Sequence, residues 1–351
     1  MADLDVTAAP CRYVPLEHLD GARHVVVDGA ARSGTQYTLS HWPASPTPGG
    51  VRDDLSAGIV VLAREHPERL PAVADVATLD HYDVDGVIAL ALTVDDGLAA
   101  SHSPVLVEAA RVGDFGVVRD QRAALVAFAL ERIGAEAASA MADACRSPVG
   151  AASEAAWTAA AVARALAVLP ALAADPERYR ILWGPEAAAC EAAHRALAEG
   201  WAVIEEVPAH DLAVVRVDTT HPDASSAAWG GAPLHRAAVY SATDHLRVAT
   251  IAGPRYELRY RYESWVRLSS ARPRRRVDLG SAASELTAAE SDGARWVFDG
   301  ACAVTGALHL AGDGPSTVAP AHFVDVVAQH LESADSGPPA WDPYAQAGPV
   351  G

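Results

Sequence analysis

Val76-Ala77-Thr78-Leu79 runs straight into Asp80-His81-Tyr82-Asp83-Val84-Asp85-Gly86, and this polar turn opens onto the apolar stretch 87–94. A short β-rich run, a turn closed by glycine and an apolar helix form the unit from which mostly parallel sheets are built. Towards the N-terminus, His24-Val25-Val26-Val27 reads as a buried strand ending in Asp28. Residues 37–40 read as another, leading into His41-Trp42-Pro43 and a Pro/Gly-rich loop. Apolar spacing over 54–63 predicts a helix that Asp53 or Asp54 would cap. Further helices are expected at 105–111, 121–133, 151–169 and 186–199. Beyond residue 200 strands dominate, at 211–218, 236–241, 246–251, 256–262 and 265–269. A helix at 281–290, a strand at 295–298 and a helix at 322–331 follow. The expected fold class is therefore α/β. A mostly parallel sheet flanked by helices occupies residues 12–200, a smaller α+β domain 201–335, and a flexible tail 336–351.

Half of the 351 residues are apolar, enough for sizeable cores. Cys11, Cys145, Cys190 and Cys302 lie far apart with no C-x-x-C pair, which argues against a thiolate zinc site or a disulfide framework. Every strongly basic side chain is arginine, which removes a Walker-type lysine, Schiff-base chemistry and a lysine base. A net charge of −18 repels polyanions, so neither general nucleic-acid binding nor membrane binding is expected. Residues 1–10 lack the basic flank and apolar core of a signal peptide, and no run approaches the ~20 apolar residues that span a bilayer. A cytoplasmic protein is expected, with a homodimer allowed. The G-x-S-x-G elbow of serine hydrolases and the G-x-G-x-x-G dinucleotide fingerprint are both absent.

Side chains alternate along an extended strand, so His81, Asp83 and Asp85 are expected to point one way at the carboxyl end of the strand that begins at Val76. Open α/β sheets bind ligands there. One imidazole with carboxylates suits Mn²⁺, Mg²⁺ or Fe²⁺ better than a thiolate-seeking ion. Asp28, at the end of another strand, is the best additional ligand, with His41 and Asp54 next and Asp114 a further carboxylate. A plainer reading has Asp83 and Asp85 capping the following helix, Asp54 capping its own, His41 packing beside Trp42, and Asp114 shaping a Gly-flanked turn.

Asp80-His81-x-Asp83-x-Asp85-Gly86 resembles the first motif of the DHH phosphoesterase superfamily, whose members hold two manganese ions with a His and aspartates at this spacing. The resemblance implies that His81, Asp83 and Asp85 are ligands. The family's Asp-His-His strand end has one comparable segment here, Val25-Val26-Val27-Asp28-Gly29, which keeps the Asp, lacks both histidines and precedes the first motif. His41 would stand in for a missing ligand. Leu39-Ser40-His41-Trp42-Pro43, Asp54-x-Ser56-Ala57 and Tyr262-Glu263-Ser264-Trp265-Val266 also resemble an uncharacterised bacterial family over most of the chain.

The second half carries Arg255, Arg259, Arg261, Arg267 and the run Arg274-Arg275-Arg276 interleaved with Tyr256, Tyr260 and Tyr262. Strand alternation would separate the tyrosines from Arg259 and Arg261, and arginine forks bind phosphate. Arg259, Arg261 and Arg267 are candidate phosphate clamps; pairing with surface carboxylates is the alternative. Together these readings point to a Mn²⁺-dependent hydrolase acting on a small phosphorylated molecule or short nucleotide. Asp28, His81, Asp83 and Asp85 would be ligands, His41 a ligand or general acid, and Asp85 part of the catalytic centre. The alternatives are a non-catalytic binding or regulatory protein on the same scaffold, and a single-metal lyase or oxygenase.

Overall fold

Val25, Val26 and Val27 are buried on both sides, as in the central strand of a covered parallel sheet. The structure is a computed structural model that describes residues 11–145, 154–312, 314–335, 337 and 339–345. It divides into two compact units, Met1–Asp114 with Asp120–Trp183, and Phe115–Arg119 with Gly184–Gly351. The boundary at 183/184 lies inside a helix, ahead of the one expected at 200. The fold is α/β.

In the first unit, β1 (Arg12–Tyr13), β2 (His24–Val27), β3 (Thr35–Leu39) and β4 (Val76–Thr78) form a sheet in the order β1-β4-β2-β3, with every pairing parallel. Residues 28–34 join β2 to its parallel neighbour β3 without a helix. So short a return is feasible because a four-residue strand spans only about 13 Å. The carboxyl ends of β2, β3 and β4 therefore open on one edge, which bears Asp28, His41 and the 79–83 turn.

Helix α1 (Ser56–Glu65) packs against α2 (Val84–Val94), and every residue of α2 from Val84 to Leu92 is buried. It is a core helix without a polar face. Helices α3 (Asp96–Phe115), α4 (Gln121–Cys145) and α5 (Glu154–Ala174) follow. By length and composition α5 could cross a membrane, which corrects the expectation that no segment approaches that limit. It packs against α2 and α4, burying Val162, Ala165, Leu169 and Leu172. Residues 151–153 of the expected helix lie outside the described residues.

Gly113, near the end of α3, sits against the start of α2: a β-carbon there would come within 2.3 Å of Val84 Cβ. Because the obstacle is the branch point of a helical side chain, it cannot swing away. Gly113→Ala is expected to cost about 1–3 kcal/mol, read from denaturant melts, as overpacking does.

Helix α6 (Arg180–Glu199) carries the unit boundary. The second unit's sheet runs β5-β6-β7-β8-β10-β9, built from β5 (Ala202–Val207), β6 (Leu212–Val217), β7 (Arg247–Ala252), β8 (Arg255–Tyr260), β9 (Trp296–Phe298) and β10 (Ala307–Leu310). Only β6 and β7 pair in parallel; α7 (Ala224–Ala227) and α8 (Arg236–Ser241) lie between them in the chain. One face packs against α9 (Gly280–Ala289) and α10 (Pro320–Asp335) through Leu286, Phe323 and Val327. The other packs against Ala192, Ala193, Ala196, Ala238 and Val239.

Residues 236–241, expected as a strand, form α8 because His235 Nδ1 accepts from Ala237 N at 3.2 Å and starts a helix. No strand forms at 265–269, and β5 and β10 were not anticipated. The described part of the expected flexible tail is fixed: Trp341 pairs with Arg276 through the backbone and stacks on Trp265 at 5.8 Å. Residues 336, 338 and 346–351 lie outside the described set. Cys11, Cys190 and Cys302 are free thiols.

Candidate metal centre

Asp28 closes β2 in the left-handed region, φ 44°, unusual for a non-glycine residue and held by buried hydrogen bonds on each side. Its amide donates to Leu39 O at 3.0 Å, and the Gly29 amide donates to Ser40 Oγ at 3.1 Å. Its carboxylate is fully buried. Oδ1 accepts from Ser56 Oγ at 2.7 Å, and Oδ2 has no hydrogen-bond partner among the described residues.

The strand expected to carry His81, Asp83 and Asp85 ends at Thr78, so alternation does not align them. Instead the turn and the first turn of α2 divide them into two groups around Asp28. In the first, His81 Nε2 lies 2.9 Å from Asp83 Oδ2 and 3.6 Å from Asp28 Oδ2. His81 Nδ1 bonds Asp80 Oδ1 at 2.8 Å, and Asp80 is held in turn by Arg32 at 3.0 Å. That is the carboxylate–imidazole relay that orients metal-binding histidines. Asp83 also caps α2, its Oδ1 accepting from Gly86 N at 2.7 Å, so the capping reading holds for this residue while Oδ2 faces His81.

In the second group, His41 Nε2 lies 3.5 Å from Asp28 Oδ1, 4.0 Å from Asp85 Oδ2 and 3.5 Å from Asp114 Oδ2. Asp85 caps α1 and not its own helix: its oxygens accept from Ser56 N at 2.7 Å and Ala57 N at 2.8 Å. That corrects the expectation of an Asp53 or Asp54 cap. The N-cap position is Leu55, and the α1 amides reach a carboxylate from another helix. Asp54 contributes its backbone carbonyl, which takes the Nδ1 proton of His41 at 2.6 Å. Asp114, at the end of α3, is buried with Oδ2 lacking a partner among the described residues.

Among the described residues two sets of three potential ligand atoms thus form, Asp28–His81–Asp83 and Asp28–His41–Asp85, each lying within 4.8 Å of one another and sharing Asp28. A divalent ion bonded at about 2.1 Å spaces its ligand atoms roughly 3–4 Å apart. Gly86 keeps the centre open, because a β-carbon there would lie 2.9 Å from Asp83 Oδ1 and 3.1 Å from Asp28 Oδ2.

Crowded, buried carboxylates shift one another's titration. Burial, with Asp83 and Asp85 alongside, pushes Asp28 well above the carboxylate range, and burial with the same neighbours does so for Asp114. Burial and Asp83 raise Asp85 to about 7. Burial lowers His41 to about 4, so at neutral pH its ring is neutral and, with Nδ1–H committed to Asp54, Nε2 turns a lone pair towards three carboxylates. Burial disfavours a charged His81, but Asp83, Asp80 and Asp28 outweigh it and raise it to about 12.

Ser56 was not anticipated as a site residue, although it lies in the Asp54-x-Ser56-Ala57 segment; its hydroxyl bonds Asp28 and accepts from His41 N at 3.3 Å. The candidate phosphate clamps lie in the second unit. Arg259 pairs with Glu257 at 3.1 Å, and Arg267 lies over the Tyr344 ring at 5.9 Å. Arg261 is corrected: β8 ends at Tyr260, alternation stops there, and the side chain turns inward with 2 % exposure. Its guanidinium donates to the carbonyls of Thr243 and Phe115 and to Glu263, and lies over the Tyr240 ring. Arg261→Met is therefore expected to cost about 3–5 kcal/mol in denaturant melts by stranding buried Glu263, with metal content unchanged.

No curated protein and no solved structure matches this chain. Residues 9–341 match one family, and the chain belongs to it: the family of unknown function DUF6687.

Proposed function

We propose that this protein is a metal-dependent hydrolase of phosphate esters or phosphodiesters that works with two divalent ions, Mn²⁺ being the best match. The observation that carries the reading is Asp28, a buried carboxylate common to two ligand sets, with Oδ2 unpartnered among the described residues. His81 and Asp83 would hold one ion and Asp85, His41 and Asp114 the other, with Asp28 bridging. A pair of such ions supplies Lewis acidity and a nucleophile from water at neutral pH, and neutralises charge on phosphoryl oxygens.

The protein's own groups set the geometry. Ser56 and the α1 amides orient Asp28 and Asp85, and Asp54 fixes the His41 tautomer. With its one proton committed, His41 serves this reading as a ligand and not as a general acid. The likeness of His81-x-Asp83-x-Asp85 to the DHH phosphoesterases supports the same chemistry. The gathering of Asp28, His41, Asp83 and Asp85 supports an enzyme over a binding scaffold, and the shared carboxylate favours two ions over a single-ion lyase or oxygenase. A cytosolic location and a small phosphorylated substrate belong to the same proposal.

The test is elemental analysis of protein incubated with Mn²⁺, followed by assays on p-nitrophenyl phosphate and bis(p-nitrophenyl) phosphate. About two ions per chain with Mn²⁺-dependent phosphate release is expected. Protein that takes up no Mn²⁺ overturns the reading, and metal-loaded protein inactive on every phosphoester returns it to the binding scaffold.

A further inference from the structure

A cavity of about 840 Å³ in the second unit is lined by Arg272, Arg274 and Arg275 with His210, opposed by Glu332 and Asp342. It is a local excess of positive charge in a chain of net charge −18. Arg272 is partly neutralised by Asp342 at 3.3 Å and lies over the Tyr344 ring at 4.9 Å. Arg274 donates to Ala209 O. Arg275 is exposed, and its guanidinium has no acceptor among the described residues.

Two buried arginines flank the lining segments in the chain or bond to them, and one of them, Arg247, braces the wall. Arg247, 1 % exposed, donates to His210 O at 2.8 Å and Arg275 O at 3.1 Å, tying together the two segments that form the wall. Arg276 is fully buried and donates to the carbonyls of Arg261, Ala301, Ala303 and Val304 and to the Ser264 hydroxyl, with no carboxylate among its acceptors. Carbonyls satisfy its hydrogen bonds but leave its net charge in place. Three guanidinium groups thus line a pocket with two carboxylates, and that of Arg247 is bonded to the backbone of its wall.

We propose that this pocket is a binding site for a small polyphosphate anion of the pyrophosphate or nucleoside di- or triphosphate class. The volume is that of a small-molecule site, and planar guanidinium forks match phosphate oxygens. A concave pocket within an otherwise acidic chain selects a compact anion over an extended nucleic acid. Arg275 and Arg274 would grip the phosphates, and Arg247 would act as a positioning residue. The proposal does not rest on the metal centre.

The test is calorimetric titration of the full chain with pyrophosphate in EDTA at low salt, using wild type, Arg274→Ala/Arg275→Ala and Asp83→Ala/Asp85→Ala. Thermal melts establish that each variant is folded. Saturable wild-type binding that weakens with salt, falls at least about tenfold in the arginine variant and is unchanged in the aspartate variant is expected. Absence of saturable binding to wild type overturns the proposal, as does an arginine variant that binds like wild type. Binding lost only in the aspartate variant also overturns it, by assigning the anion to the metal centre.

Discussion

Asp28→Asn is expected to abolish uptake of both ions, while Asp83→Asn removes one of the two and His41→Ala the other. The asymmetry follows from Asp28 belonging to both ligand sets, with Oδ1 facing His41 and Oδ2 facing His81. Asparagine keeps the shape and can still accept from Ser56, so a folding defect does not account for the loss. Replacing residues behind metal ligands costs roughly 10–100-fold in affinity, and removal of a bridging ligand exceeds that. The measurement is Mn²⁺ stoichiometry by elemental analysis beside titration calorimetry. Equal, partial losses in all three variants would exclude a shared bridge.

The metal-free protein is expected to lose stability as pH rises from about 4 to 7, and Mn²⁺ to reverse the trend. Asp85 has an ordinary pKa of 3.8 and reaches about 7 when folded, so the native state keeps a proton that the unfolded chain gives up. This contribution is complete below about pH 4 and disappears as pH rises through 7, at up to about 1.4 kcal/mol per pH unit for one proton. Asp28 and Asp114, also raised, act in the same direction, and the three carboxyls together outweigh His41, whose pKa lowered from 6.5 to about 4 acts the opposite way between those values. Divalent ions replace those protons, and an ion at 1,000 times its dissociation constant adds about 4 kcal/mol. Denaturant melts at pH 5 and 7.5, in EDTA and in Mn²⁺, read both effects, and Asp85→Asn should flatten the EDTA slope. A metal-free protein equally stable at both pH values and indifferent to Mn²⁺ would contradict the centre.

The parallel sheet was legible because β-branched runs at 24–27 and 76–78 each end in a polar turn. Asp28, His41, His81, Asp83 and Asp85 were legible as one neighbourhood because strand ends in such sheets converge. Their partition was not, because it depends on β4 stopping at Thr78 and on Asp85 reaching across to the amides of α1. No local pattern signals a cap supplied by another helix. Asp114 was ambiguous for a similar reason: a Gly-flanked aspartate reads as a turn, and only the contact of Gly113 with Val84 brings the end of α3 to the start of α2. Arg261 misled because the expected strand ran to residue 262, two residues past the end of β8.

Because all four strands of the first unit point the same way, the order of these His and Asp residues along the chain carries little information. Asp28 and His41 come before His81, Asp83 and Asp85 in the chain, yet all five meet at one edge of the sheet. A chain cut open elsewhere and rejoined would deliver the same side chains to the same edge. What such an edge requires is therefore an address in the sheet and not a position in the chain.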